Sequence, residues 1–185
     1  NIGLGATRDP DLVRDIEHVA AEETRTTGPQ WAFAPCICVA RDDRWGRTYE
    51  SFGEDPGLVA QMETAIDGFQ GGPGHLSDPD RVLATAKHFA GDGLTTYGTG
   101  SNMGTTGDYR IDQGVDHVTR AEFRRLALSP YVPAVRWHGV GSVMPSFSSV
   151  DFTDDAAPAI KMHGHQELIT DVLKGAMHFK GFVIS

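Results

Sequence analysis

Trp31-Ala-Phe-Ala-Pro-Cys-Ile-Cys-Val39 is an unbroken apolar run of strand length, with aromatic and β-branched content. A strand that is apolar on both faces is expected in a parallel sheet covered by helices, not in a half-solvated antiparallel one. The flanks repeat that message. Upstream, Asp9-Pro10 is a helix start, with Asp as cap and Pro at the first helical position. Leu12, Val13, Ile16, Val19 and Ala20 then recur at helical spacing until Gly28. Downstream, Asp55-Pro56 starts a second helix carrying Leu58, Val59, Met62, Ile66 and Phe69 and ending at Gly71-Gly72.

The same alternation continues along the chain. Val82 to Ala90 reads as a strand, and Thr119-Arg-Ala-Glu122 as a capping box opening a helix to about Trp137, with Pro130 and Pro133 placed to kink or split it. Val140 to Met144 is a short strand. Leu168, Ile169, Val172, Leu173 and Met177 form a helical stripe before a last strand, Phe182 to Ile184. About four helix–strand units in this order predict an α/β fold with parallel strands and right-handed crossovers.

Links from helix to strand are short, around Gly28 to Gln30, His138-Gly139 and Lys180-Gly181. Links from strand to helix are long: Ala40 to Glu54, Gly91 to Val118 and Phe147 to Met162. Long loops at the C-terminal ends of parallel strands mark the functional face of a (β/α)8 barrel or the crevice of a doubly wound sheet. The 185 residues suffice for one ordinary domain, but a whole barrel needs about 250, so the chain is expected to be an open sheet or part of a larger barrel. No GxGxxG follows a strand and no P-loop is present, which weakens the nucleotide-binding alternative.

Hydrophobic residues at 39% and charged residues at 22% fit a globular body, not a disordered tail or a coiled coil. Sixteen basic residues against 25 acidic ones give a net charge of -9 without a basic run, so neither nucleic acid nor an anionic membrane is an expected partner. The longest apolar stretch, Trp31 to Ala40, is half the roughly 20 residues of a spanning helix. Asn1 to Gly5 lacks a basic start and an apolar signal core, so any targeting segment is expected to have been removed or to lie outside the chain. Cys36 and Cys38 fall on one face of the first strand and read as buried thiols.

If the loop asymmetry marks the functional end, the groups just past each strand share a pocket. They are Arg41 to Trp45, Arg47 and Glu50; Lys87, His88 and Asp92; and Met144, Ser146 and Phe147. Cations, carboxylates and aromatic rings together suit a polyhydroxylated ligand; the plainer alternative for the first group is a solvated loop held by its own ion pairs. Lys87-His88 beside apolar Phe89-Ala90 must be paired if buried, either for a site or simply to hold the barrel. His163-Gly-His165 has the look of a metal pair but sits near a helix start, and the other histidines read as surface residues.

Five motifs in order then carry a resemblance: Asn1-Ile-Gly-Leu-Gly-Ala-Thr-Arg-Asp-Pro10; Phe33-Ala-Pro-Cys36; Asp43-Arg-Trp-Gly-Arg-Thr-Tyr-Glu50 with Ser51-Phe-Gly-Glu-Asp55; Ala86-Lys-His-Phe-Ala-Gly-Asp-Gly93; and Lys180-Gly-Phe-Val-Ile-Ser185. Together they resemble glycoside hydrolase family 3, in its β-glucosidase and exo-β-glucanase branch. The resemblance implies part of a (β/α)8 barrel over residues 1–185, with the rest of the barrel and a following α/β sandwich outside the chain. It implies a retaining exo-β-glucosidase acting on terminal glucosyl residues of β-glucosides or β-glucan oligosaccharides, with no cofactor and no metal.

Carried over position by position, Arg47, Lys87 and His88 are implied to hold the hydroxyls of the glucose, and Met144 to line that subsite. Phe147 stands where relatives often carry Tyr, which keeps ring stacking and loses a hydrogen bond. No ligand is carried over onto Asp108 or Asp112. The nucleophilic Asp is expected directly after Ser185, and the acid/base in the sandwich domain, so no catalytic residue is expected in the chain, and the segment alone is expected to be inactive. The histidine acid/base of another branch is missing, since Thr95-Thr-Tyr-Gly-Thr99 occupies that region. The remaining partner is then the rest of the parent polypeptide, and location is periplasmic or secreted if anything. Two competing readings are a non-catalytic sugar-binding remnant and a metal-dependent barrel hydrolase using His163, His165, Lys87 and His88.

Overall fold

A computed structural model describes residues 1–100 and 110–185. Helix α1 (Ile2–Thr7) leads into α2 (Pro10–Thr26), which starts as its sequence dictates: the Asp9 carboxylate accepts the Leu12 N–H at 3.0 Å, and Pro10 occupies the first turn. The second expected helix is two, α3 (Pro56–Gln61) and α4 (Thr64–Gln70). Between them the N–H groups of Glu63, Ala65 and Ile66 bond three residues back instead of four, tightening the chain. Helix α2 packs closely on α4 because Gly68 has no side chain; a Cβ there would collide with the Arg14 carbonyl.

Strand β1 (Thr85–Phe89) and the later β3 (Ser142–Pro145) and β6 (Phe182–Val183) form a parallel sheet in that order, with Thr85 beside Ser142, Lys87 beside Met144, and Ser142 beside Phe182. The expected first strand, Trp31 to Val39, is a correction in part. It pairs with the β1 segment only through isolated parallel bridges, Trp31 to Leu83 and Cys36 to Lys87. Pro35 has no N–H to donate and interrupts the ladder.

The sheet thus runs in chain order without the reversal of a doubly wound fold. It also curls. Strands one and four of a flat sheet stand about 14 Å apart, yet the Trp31 and Phe182 rings meet at 5.3 Å. The Trp31 indole N–H reaches Thr85 Oγ1 at 2.7 Å and Ser142 Oγ at 3.2 Å on the same concave face. A curled parallel sheet filled from inside at its N-terminal end is the wall of a barrel.

Two of the expected loops hold strands. β2 (Val115–Val118) lies parallel to β4 (Ser149–Phe152), and β5 (Ile160–Lys161) antiparallel to β4, making a small second sheet built from the segments that follow β1 and β3. The expected helix from Thr119 is broken into α5 (Arg120–Phe123), a π-helical stretch (Arg124–Leu128) and α6 (Tyr131–Arg136), as Pro130 and Pro133 require; its capping box forms as read. The last helix, Glu167–Ala176, is π-helical.

Three further expectations change. Cys36 and Cys38 are buried but joined as a disulfide, so they are not free thiols. Of the α2 stripe only Val13 is buried, while Leu12, Ile16 and Val19 are exposed. His138 is not a surface residue; it is partly buried and bonded to Asp67 at 2.8 Å.

Candidate active site

The C-terminal ends of the first strands bring Arg47, Glu50 and Lys87 together. Arg47 sits at the head of a single 3-10 turn, Thr48–Glu50, whose end is pinned by Ser51: its hydroxyl donates to the Cys38 carbonyl at 2.6 Å. The Arg47 Nε and Nη2 donate to the two oxygens of Glu50 at 2.7 and 2.9 Å, a forked pair. Lys87 Nζ approaches the same Glu50 Oε2 at 3.2 Å. The Arg47 hydrogen bond, with the Lys87 charge, holds the Glu50 carboxyl down at about 2. It is therefore ionised at every ordinary pH.

His88 follows Lys87 but has different partners. The Lys87–His88 and Phe89–Ala90 peptides are cis, and the β1–β3 register shifts between Lys87 and Phe89. The His88 ring is 5% exposed, with Nδ1 2.9 Å from Asp92 Oδ2, and its backbone N–H donates to Cys38 Sγ at 3.3 Å. Ser146 Oγ donates to Asp92 Oδ1 at 3.2 Å. Behind Asp92 lies Asp116, fully buried in β2. Gly91 makes room for it with a left-handed φ of 101°, where a Cβ would strike the Asp116 carboxylate. The Thr95 hydroxyl reaches the Asp92 carbonyl and Ser148 and leaves the Asp116 carboxyl without a hydrogen bond. Burial, with the Asp92 charge, pushes that carboxyl well above its usual range.

Met144 is brought in as the register partner of Lys87. Phe147 joins less directly. Its ring is half exposed and stacks on His163 at 5.2 Å and 21°, while His163 Nε2 lies 2.7 Å from Ser185 Oγ. His165 is buried at the edge of Phe152, so the two histidines do not share a ligand position, and they do not join Lys87 and His88 in one set. The first loop cluster divides: Asp42 and Arg44 form an exposed ion pair, with Arg44 over the Tyr97 ring at 3.9 Å. A cleft of about 590 Å³ lined by Trp45, Arg47, Tyr97 and Asp112 borders the site; Asp108 lies outside the described residues.

Two cations, an imidazole and a thioether at the C-terminal end of a curled parallel sheet can bind a ring of hydroxyls. Sequence reasoning placed Glu50, Asp92 and Ser146 at this end without their partners, and gave no role to Asp116, Ser148 or the contact of His163 with Phe147. The model of the N-terminal domain of glycosyl hydrolase family 3 matches residues 1–185.

The chain belongs to glycosyl hydrolase family 3. Its fold is part of that family's (β/α)8 barrel domain. A β-xylosidase of Formosa agariphila is 33% identical over 186 residues, spanning all of this chain and 23% of the relative. A periplasmic β-glucosidase of Salmonella typhimurium is 30% identical over 191 residues, spanning all of this chain and 21% of the relative. Among solved structures, an exo-1,3/1,4-β-glucanase of a Pseudoalteromonas species is 40% identical with a TM-score of 0.84, covering 99% of this chain and 20% of that one. A D270A β-glucosidase of Listeria innocua in complex with laminaribiose is 31% identical with a TM-score of 0.85, covering all of this chain and 23% of that one. The family 3 chain thus spans less than a quarter of the length of each of these four.

Proposed function

We propose that the full-length polypeptide carrying this chain is a retaining, exo-acting β-glucosidase that removes terminal glucosyl residues from β-glucosides or β-glucan oligosaccharides. In this reading residues 1–185 are part of its barrel domain and supply the glucose subsite, through Arg47, Lys87 and His88, with Met144 and Phe147 as lining. The observation that carries it is the joining of Arg47 and Lys87 through one Glu50 carboxylate at the C-terminal strand ends, with Met144 beside Lys87. The glucosidase and glucanase relatives support the substrate class, and the laminaribiose complex of the Listeria enzyme supports a β-glucan oligosaccharide. The periplasmic Salmonella relative supports a periplasmic or secreted location.

Retaining chemistry needs two carboxyl groups about 5 to 5.5 Å apart, one as nucleophile and one as acid. Glu50 is occupied by two cations and Asp92 by His88 and Ser146, so neither suits these roles. The nucleophile is proposed as an Asp directly following Ser185, and the acid/base as a residue of a following sandwich domain. Exposed apolar groups at the rim of the sheet and on α2, including Phe33, Phe182, Leu12, Ile16 and Val19, support packing against further barrel units.

Assay of the full-length polypeptide on an aryl β-glucoside and on laminari-oligosaccharides tests the reading. Lys87→Ala and His88→Ala are each expected to lower kcat/KM by about a hundredfold or more, because contacts to sugar hydroxyls tighten in the transition state. Unchanged turnover in both variants would overturn the assignment.

A further inference from the structure

Two cations that both serve one sugar ring repel each other, and each is a long, flexible side chain on a different part of the fold. Arg47 belongs to the loop after the first strand, whereas Lys87 is in β1. Glu50 stands between them. Its Oε2 is shared by Arg47 Nη2 at 2.9 Å and Lys87 Nζ at 3.2 Å, while Oε1 takes Arg47 Nε at 2.7 Å. Its own backbone is not free to drift: Glu50 N–H bonds to the Arg47 carbonyl at 2.9 Å, and the following Ser51 ties the turn to Cys38 and Gly53. The fork uses Nε and Nη2 of Arg47, so among the described residues the Nη1 donors and the other Lys87 donors remain for a ligand.

We propose that Glu50 is a positioning residue of the glucose subsite, whose carboxylate holds Arg47 and Lys87 at the spacing needed to grip one sugar ring. This rests on the glucose-subsite reading above. Glu50 acts through the two cations: both its oxygens are taken up by them, and it stays ionised, so it neither delivers nor receives a proton in turnover. With the charge gone, Arg47 and Lys87 separate and lose the geometry that the transition state requires.

The test uses the full-length enzyme with Glu50→Gln, Glu50→Asp, Arg47→Ala and Lys87→Ala, assayed on an aryl β-glucoside across its active pH range, with circular dichroism and thermal unfolding as folding controls. Glu50→Gln is expected to lower kcat and kcat/KM together by about a hundredfold, with the shape of the pH profile kept. Glu50→Asp, which keeps the charge on a shorter arm, should fall between Gln and the wild type. The Arg47→Ala/Glu50→Gln double variant should lose less than the two single losses combined.

Glu50→Gln within about twofold of wild type while Arg47→Ala and Lys87→Ala are impaired overturns the positioning role and leaves the subsite standing. A lost limb in the pH profile overturns it too, by making Glu50 a proton donor or acceptor. If Glu50→Gln fails to fold, Glu50→Asp decides: wild-type activity contradicts the demand for exact reach, and a folded, impaired enzyme with an unchanged pH profile supports it. Full activity in Arg47→Ala and Lys87→Ala instead sinks the subsite reading itself.

Discussion

Asp92 holds His88 by one ring nitrogen, with Nδ1 2.9 Å from Oδ2. A carboxylate only accepts hydrogen bonds, so Nδ1 carries the proton and Nε2 is the nitrogen left as an acceptor. Asp92→Asn replaces one accepting oxygen with an amide that also donates, and the imidazole loses its fixed tautomer. In the full-length enzyme this is expected to lower kcat/KM at least about tenfold without unfolding the protein; an unimpaired Asp92→Asn variant would remove Asp92 from the site. Glu50 was one member of the first loop cluster, while Lys87 and His88 stood out in the sequence because ionisable groups at a strand end beside Phe89 and Ala90 demand partners. Which carboxylate takes which cation did not, since Glu50 and Lys87 are distant in sequence and meet only when two strands pair. Cys36 and Cys38 show the same limit. On a regular strand their Cα atoms would stand about 6.6 Å apart, at the far edge of disulfide geometry; in the irregular segment after Pro35 they are 5.4 Å apart and bonded.

Helix starts were the most legible elements. Asp9-Pro10, Asp55-Pro56 and the Thr119–Glu122 box each form their side-chain caps, because a cap depends on residues three apart or fewer. Helix interiors and the short strands β2, β4 and β5 were not, since they answer to tertiary packing. The join between α3 and α4 carries Glu63, fully buried with both carboxyl oxygens unpartnered, and β2 carries Asp116 in the same condition. Burial raises both carboxyls well above their usual range. In the pH range above about 4, where an unfolded carboxyl has given up its proton, the native state still holds these two. The native state then binds more protons than the unfolded one, so stability falls as pH rises, by up to about 1.4 kcal/mol per pH unit for each group until its native value is passed. Chemical denaturation between weakly acidic and alkaline pH should show this decline, and Glu63→Gln or Asp116→Asn should flatten it. A variant whose stability declines as steeply as the parent's would show that the altered carboxyl ionises as readily folded as unfolded.

Taken as a body, the 185 residues leave the sheet rim and part of α2 unmatched. Phe33 is 51% exposed, Phe182 45% and Val19 50%, and among the described residues β6 pairs with β3 alone. Prepared alone, the chain is expected to bind a hydrophobic dye such as ANS and to self-associate, whereas the full-length polypeptide should do neither. A monodisperse, dye-free 185-residue monomer would contradict that. The sequence by itself determined the α/β class, the direction of the sheet and the ionisable groups gathered at its C-terminal end, because caps, apolar periodicity and loop lengths are local and each is written in neighbouring residues. Tertiary structure alone decided the curl that lets Trp31 touch Phe182, the second sheet, and the meeting of Glu50 with Lys87 and of Asp92 with Ser146. Those outcomes depend on how far one strand slides and bends against the next, a quantity that no short stretch of chain contains.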